Sequence, residues 1–214
     1  SADWGLHLSG SLADKVFGYA ISVVNGAGYK NPVRTDGVDV EARVNLNLSD
    51  FTFGVGGYFG QLGAKHNVTT FNDATRWNAL AAYKADGLRL GVEYFVANDY
   101  AFVTALGSSK AEGISGFASY QFDPQWGIFG KYEFAKPFDE FSTSAARENF
   151  ENTYYNVGIS YSPAKIVDFA LVYKHDAGDN GFFSDGNGTI GGTAFAPGND
   201  GEYDEIGLFG QFRW

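Results

Sequence analysis

The residues able to do chemistry in this chain are few. Cysteine is absent, and His7, His66 and His175 are the only imidazoles. Zero cysteine removes a thiol nucleophile, a thiolate metal site and a disulfide framework together. His7 shares one face of an alternating stretch with Ser9 and Ser11, so a serine–histidine pair is conceivable. A hydrolase would also need an acid to hold that imidazole. No third member is identifiable, so the expectation is a solvated histidine and no catalysis.

Two other stretches invite a ligand reading. The run Asp176-Ala177-Gly178-Asp179-Asn180-Gly181, continued by Asp185-Gly186-Asn187-Gly188, offers spaced oxygens of the kind calcium takes. It lacks the bidentate Glu that completes a calcium loop, and Asp-Gly-Asn-Gly is equally a turn former. Gly54, Gly56, Gly57 and Gly60 suggest a phosphate loop, but the lysine-and-hydroxyl ending and the following helix are both missing. Small residues on a packed wall are the better expectation there. No metal or cofactor is expected.

What remains is a set of regularly placed charges: Glu41, Arg43, Arg76, Lys84, Arg89, Glu93, Lys131 and Glu133. Each sits on the polar side of a period-two pattern. Val40, Ala42, Val44, Leu46 and Leu48 alternate with Asp39, Glu41, Arg43, Asn45 and Asn47. Leu88, Leu90, Val92 and Tyr94 alternate with Arg89, Gly91 and Glu93. Near the end, Ile206, Leu208, Gly210, Phe212 and Trp214 share one face, while Glu205, Gly207, Phe209, Gln211 and Arg213 share the other. Such alternation marks strands, because successive side chains point to opposite faces. The pattern recurs about eleven times over the 214 residues, in segments long enough for tilted membrane strands.

Connections alternate too. Short turns are predicted at Ala13-Asp14, Ser49-Asp50, Ala85-Asp86-Gly87, Asp123-Pro124-Gln125 and Ser162-Pro163-Ala164-Lys165. Long loops are predicted at about 25–36, 60–75, 97–112, 136–152 and 176–204. Short turns on one side and long loops on the other fit an outer-membrane barrel. All five prolines are expected in connections, because every ladder bond is needed in lipid. Aromatics gather near strand ends, among them Trp4, Phe17, Phe51, Tyr83, Tyr120, Trp126, Tyr161, Phe169 and Trp214, as in an interfacial girdle. The loop 97–112 is unusually apolar, which suits either an inward-folded constriction or packing on a neighbouring protomer.

Charge sorting separates this reading from a soluble sheet. Asp3, Asp39, Glu41, Glu93, Glu133, Asp168 and Glu205 fall on the polar face, against Arg43, Arg76, Lys84, Arg89, Lys131, Lys174 and Arg213. None falls on the apolar face, where Arg or Lys at a bilayer midplane costs about 2–4 kcal/mol. A balanced, amide-rich wall is expected to be wet. The long loops hold fourteen acids against six bases, an acidic mouth that concentrates cations.

The net charge of −10 argues against nucleic acid. A mean hydropathy of −0.19 describes a soluble protein, an inference that fails when strands alternate. No apolar run approaches a membrane helix. No secretory leader is visible, which reads as a mature or trimmed form.

Asp3-Trp4-Gly5-Leu6-His7-Leu8-Ser9-Gly10, followed by Tyr19-Ala20-Ile21-Ser22-Val23-Val24-Asn25-Gly26-Ala27-Gly28-Tyr29, resembles the phosphate-selective porin O and P family. Asp39–Arg43 and Gly54–Tyr58 fit as well, and Phe212-Arg213-Trp214 resembles the C-terminal aromatic insertion signal. The resemblance covers most of this chain but only the later part of a typical member. It implies a sixteen-stranded trimer. Phosphate-selective members line the pore with bases, and the balanced wall here departs from that.

The expectation is one domain over 1–214: an all-β, antiparallel transmembrane β-barrel of about 11–12 strands, or part of a larger barrel. Its expected function is diffusion of ions and small polar solutes with weak cation preference, in contact with lipid and lipopolysaccharide. A partner-binding barrel acting through its loops is the alternative, and an outer-membrane enzyme ranks below both. Eleven strands would put Ser1 and Trp214 at opposite membrane faces, although bacterial single-chain barrels have even numbers. Missing upstream strands, a miscount by one, or a parallel closing pair would each resolve this, the first being favoured.

Overall fold

The computed structural model describes residues 4–26, 37–64, 68–185 and 188–213. Thirteen strands are found among them: β1 (Gly5–Leu12), β2 (Phe17–Val24), β3 (Asp39–Leu48), β4 (Phe51–Gly60), β5 (Ala74–Ala85), β6 (Leu88–Asn98), β7 (Ser109–Gln121), β8 (Trp126–Phe141), β9 (Glu151–Ala164), β10 (Val167–Asp179), β11 (Phe182–Asp185), β12 (Gly188–Gly191) and β13 (Gly201–Phe212). Eleven of them form one sheet in the order β1 to β10 and then β13, while β11 and β12 make a separate hairpin. The eleven repeats of the alternation are these eleven strands.

The chain divides into two compact units. One comprises Ser1–Ala81, Tyr94–Glu112 and Phe138–Ala145; the other comprises Ala82–Glu93, Gly113–Pro137 and Ala146–Trp214.

In the first unit, antiparallel pairing aligns β1 to β4 so that whole rows share a face. Leu6–Val23–Val40–Phe59, Leu8–Ile21–Ala42–Gly57, Gly10–Tyr19–Val44–Val55 and Leu12–Phe17–Leu46–Phe53 make one face wholly apolar. That face is open: Leu6 is 80% exposed and Val55 60%. The opposite rows are His7–Ser22–Glu41–Tyr58, Ser9–Ala20–Arg43–Gly56 and Ser11–Gly18–Asn45–Gly54. Buried apolar residues lie toward the loop end instead. Phe102 and Val103, from the apolar loop, are buried, and Phe102 meets Phe141 edge-on. Asn72 Nδ2 donates to the carbonyls of Phe102 (3.1 Å) and Gly107 (2.7 Å), and the Phe71 amide donates to Val103 O (2.8 Å). The apolar content of this loop is therefore used in packing against loops of its own chain.

The second unit repeats the scheme. Trp126–Tyr161–Phe169–Gly210, Ile128–Ile159–Leu171–Leu208 and Gly130–Val157–Tyr173–Ile206 form the exposed apolar face of β8, β9, β10 and β13. Trp126 stacks on Tyr161 at 4.3 Å. Its loops also carry an aromatic cluster, in which fully buried Phe150 contacts Phe183 and Phe195.

Three expectations need correction. The strands run further than the apolar signal does, so the loops are shorter; β8 spans 16 residues and β9 spans 14. Past the row Tyr132–Tyr155–His175–Asp204, the apolar-parity face continues through Glu202, Glu151 and Asp179. Charge therefore does appear on this face, from Asp204 in the tyrosine row onward. Two prolines also lie inside strands. Pro163 sits where the β9–β10 register slips between Val167 and Phe169, and Pro137 lies beyond the last β8–β9 registered pair, Ala135–Asn152. At Pro163 no registered pair calls for the missing amide. Pro32, His66, Trp214 and the Gly186-Asn187 part of the oxygen-rich run lie outside the described residues.

Candidate pore wall

Of the sequence-selected charges, Glu41, Arg43, Lys131 and Glu133 fall on the polar rows. In the first unit, Glu41 stands in register with Ser22 on one side and Tyr58 on the other. Arg43 pairs in register with Gly56, and its Nε donates to Asn45 Oδ1 at 3.0 Å. Arg76 lies over the Tyr58 ring, 5.2 Å from its centroid. The Tyr58 hydroxyl donates to Asp39 Oδ2 (2.7 Å) and accepts from the Leu62 amide (3.0 Å). Asp39 is 1% exposed and also accepts from the Gln61 amide at 2.8 Å. Both partners donate to the carboxylate, which accounts for its burial.

The glycines on this face have a steric role. A Cβ on Gly54 would come within 2.8 Å of Asn45 Oδ1 and 3.1 Å of Arg43 Nη2, and one on Gly56 would collide with Asn78 Oδ1. Bare backbone lets long polar side chains lie flat along the wall.

The Ser–His pair exists in a different form from the expected one. His7 Nδ1 is 2.9 Å from Ser22 Oγ, across the β1–β2 ladder. Serine stands between the imidazole and Glu41 in that row, whereas a hydrolytic triad places the histidine between nucleophile and acid.

In the second unit, Lys131 and Glu133, two apart on one strand, form an ion pair of 2.7 Å. Lys131 belongs to the row Lys131–Asn156–Lys174–Glu205, and Lys174 reaches Glu205 at 3.4 Å. Arg213 pairs with Asp168, which also accepts from Ser162 Oγ at 2.7 Å. Glu93 lies on β6, four residues along from Arg89. Lys84 and Arg89 instead line a cavity of about 530 Å³ beside the Asp86-Gly87 turn. Asp86 and Gly87 both have positive φ (48° and 81°), the backbone of a two-residue hairpin turn.

The wall is less uniformly wet than its charges suggest. The row Phe129–Gly158–Val172–Gly207 is apolar, and Phe209 lies one row further toward the turns. The Phe129 ring covers Gly158, the Phe117 ring covers Gly91, and Lys174 Nζ sits 4.7 Å over Phe209. Parity alone would have placed Phe117, Phe129 and Phe209 on this face. The sequence reading places Phe209 there and names neither Phe117 nor Phe129, because an apolar side chain gives no signal of a polar-side position. Among the described residues no cluster of three or more His, Asp or Glu forms a metal site.

No protein-family model and no curated protein matches the chain. Solved structures do. A porin refined at 1.8 Å resolution matches with a TM-score of 0.61 and 13% identity, over 96% of this chain and 60% of that one. OmpT, an in-vitro folded outer membrane protein of Vibrio cholerae, matches with a TM-score of 0.58 and 15% identity, over 97% of this chain and 63% of that one. The fold is thus the antiparallel outer-membrane β-barrel fold, over a chain spanning about three fifths of these relatives' length. The likeness extends to the fold and does not reach the O and P family.

Proposed function

We propose that the chain builds the wall of an outer-membrane porin that passes ions and small polar solutes by diffusion. The carrying observation is the reversal of the usual burial pattern: large apolar side chains stand open on one face while charges, amides and glycines occupy the other. A soluble sheet hides its apolar face; a lipid-facing one shows it. Glu41, Arg43, Arg76, Lys84, Arg89, Glu93, Lys131 and Glu133 then line the water-filled side. No reaction and no cofactor is part of this reading. The apolar face meets lipid, and the loop end meets lipopolysaccharide. Association into a homo-oligomer, a trimer by the family resemblance, accompanies it.

Single-channel recording in a planar bilayer under a salt gradient tests this. Stable current steps with a weakly cation-leaning reversal potential are expected. A strong anion preference would refute the charge reading. Silence from protein shown to be folded and inserted would sink the porin reading and favour the second one, a barrel that binds partners through its loops. The two packed aromatic clusters, around Phe102 and Phe150, are what favour that alternative, because they give the loops fixed shapes.

A further inference from the structure

The bases of the second unit are not used alike. Lys131, Lys136, Lys174 and Arg213 each pair with an acid. Lys84 and Arg89 have no acidic partner within ion-pair distance among the described residues, although Asp86 lies close by in the turn. Both line the same cavity, beside Ser119, Gln121, Phe129 and Ser160. Its volume, about 530 Å³, is that of a small-molecule site.

The lining has two characters. One side is cationic and hydrogen-bonding. Gln121 Nε2 donates to Asp123 O at 2.8 Å and Ser160 Oγ to Gly127 O at 3.3 Å, which fixes both side chains. Gly127 leaves room between them, since a Cβ there would lie 3.0 Å from Gln121 Oε1 and from Ser160 Oγ. The other part is Phe129, whose ring reaches over Gly158, where a Cβ would lie 2.9 Å from its Cε1. Two bases against Asp86 leave one positive charge in excess.

We infer that this cavity is a binding site for a monoanionic carboxylate with an aromatic or flat apolar body. The carboxylate takes the two unpaired bases, where charge-assisted hydrogen bonds are strongest. The apolar body lies against the phenyl ring, where aromatic surfaces gain from offset or edge contact. An inorganic oxyanion would satisfy the bases but leave the ring unused. The inference rests on the porin reading only in taking this face as open to solute.

Titration calorimetry of the folded chain in detergent micelles, with sodium benzoate, sodium acetate and inorganic phosphate as probes, tests the site without needing conductance. Benzoate should bind about tenfold more tightly than acetate or phosphate. The double substitution Lys84→Met with Arg89→Met should weaken benzoate by at least about tenfold. Phe129→Ala should bring benzoate down to the level of acetate. Among the described residues these bases make no ion pair, so their removal strands no described acid, and heat-modifiable gel mobility verifies folding of each variant. Equal binding of the three probes, tighter phosphate, or wild-type benzoate affinity in the double variant would overturn the inference. Bilayer recording separates the two claims. Steady conductance without benzoate binding sinks the site alone, and benzoate binding without conductance sinks the porin reading alone.

Discussion

Lys131 and Glu133 show how much a single wall residue decides. The pair is 2.7 Å apart and about two-fifths exposed on each side, so it contributes little to stability. Its contribution to the field in a pore is larger, because removing one partner leaves the other uncompensated. Lys131→Gln should raise the cation-to-anion permeability ratio and Glu133→Gln should lower it, read from reversal potentials under a salt gradient. The thermal unfolding midpoint should stay unchanged in both. Gly56 acts through space instead of charge. Gly56→Leu should displace Asn78 and lower single-channel conductance, without altering the sign of selectivity.

At the scale of elements, the two faces of one strand carry opposite rules. In β4, Val55 lies in the open apolar row and Gly56 in the polar row. Val55→Arg should destabilise the folded barrel in lipid by about 2–4 kcal/mol, measured by equilibrium refolding into vesicles. Arg43→Leu, on the opposite face of β3, should cost far less. The loop elements follow a soluble protein's rule. Phe102 is 4% exposed, against Phe141. Phe102→Ala should cost about 3–5 kcal/mol of local stability and raise hydrogen exchange over residues 99–108, with β3 and β4 unaffected. Uniform exchange across the chain would show that the loop cluster does not fold as a separate layer.

At the scale of the whole molecule, charge is asymmetric: 25 acids stand against 15 bases. The wall is close to balanced, so the excess lies mainly at the loop end. Part of it is neutralised locally, as where Lys110 meets Asp139 at 2.6 Å and Glu112 at 3.2 Å, and where Lys136 meets Glu151 at 3.1 Å. What remains acts over a Debye length, about 10 Å at 0.1 M salt and 3 Å at 1 M. The cation preference should therefore fall toward unity as salt rises between those values. A preference independent of salt would assign selectivity to a narrow ring in the wall and not to the mouth.

Alternation by itself determined the eleven strands of the main sheet and put Glu41, Arg43, Lys131 and Glu133 on the rows opposite the apolar ones, because a strand's side chains must reverse face at every residue. It could not mark where strands end. The apolar signal stops at the tyrosines of β9 and β10, whereas backbone hydrogen bonding continues through polar residues that satisfy the same ladder in water. Nor could it say which charges meet. The pairing of His7 with Ser22, and the stacking of Arg76 on Tyr58, depend on the register between strands. Only the tertiary structure brought Phe129 to the cavity beside Lys84 and Arg89, because it comes from β8 and no spacing along the chain relates it to their hairpin.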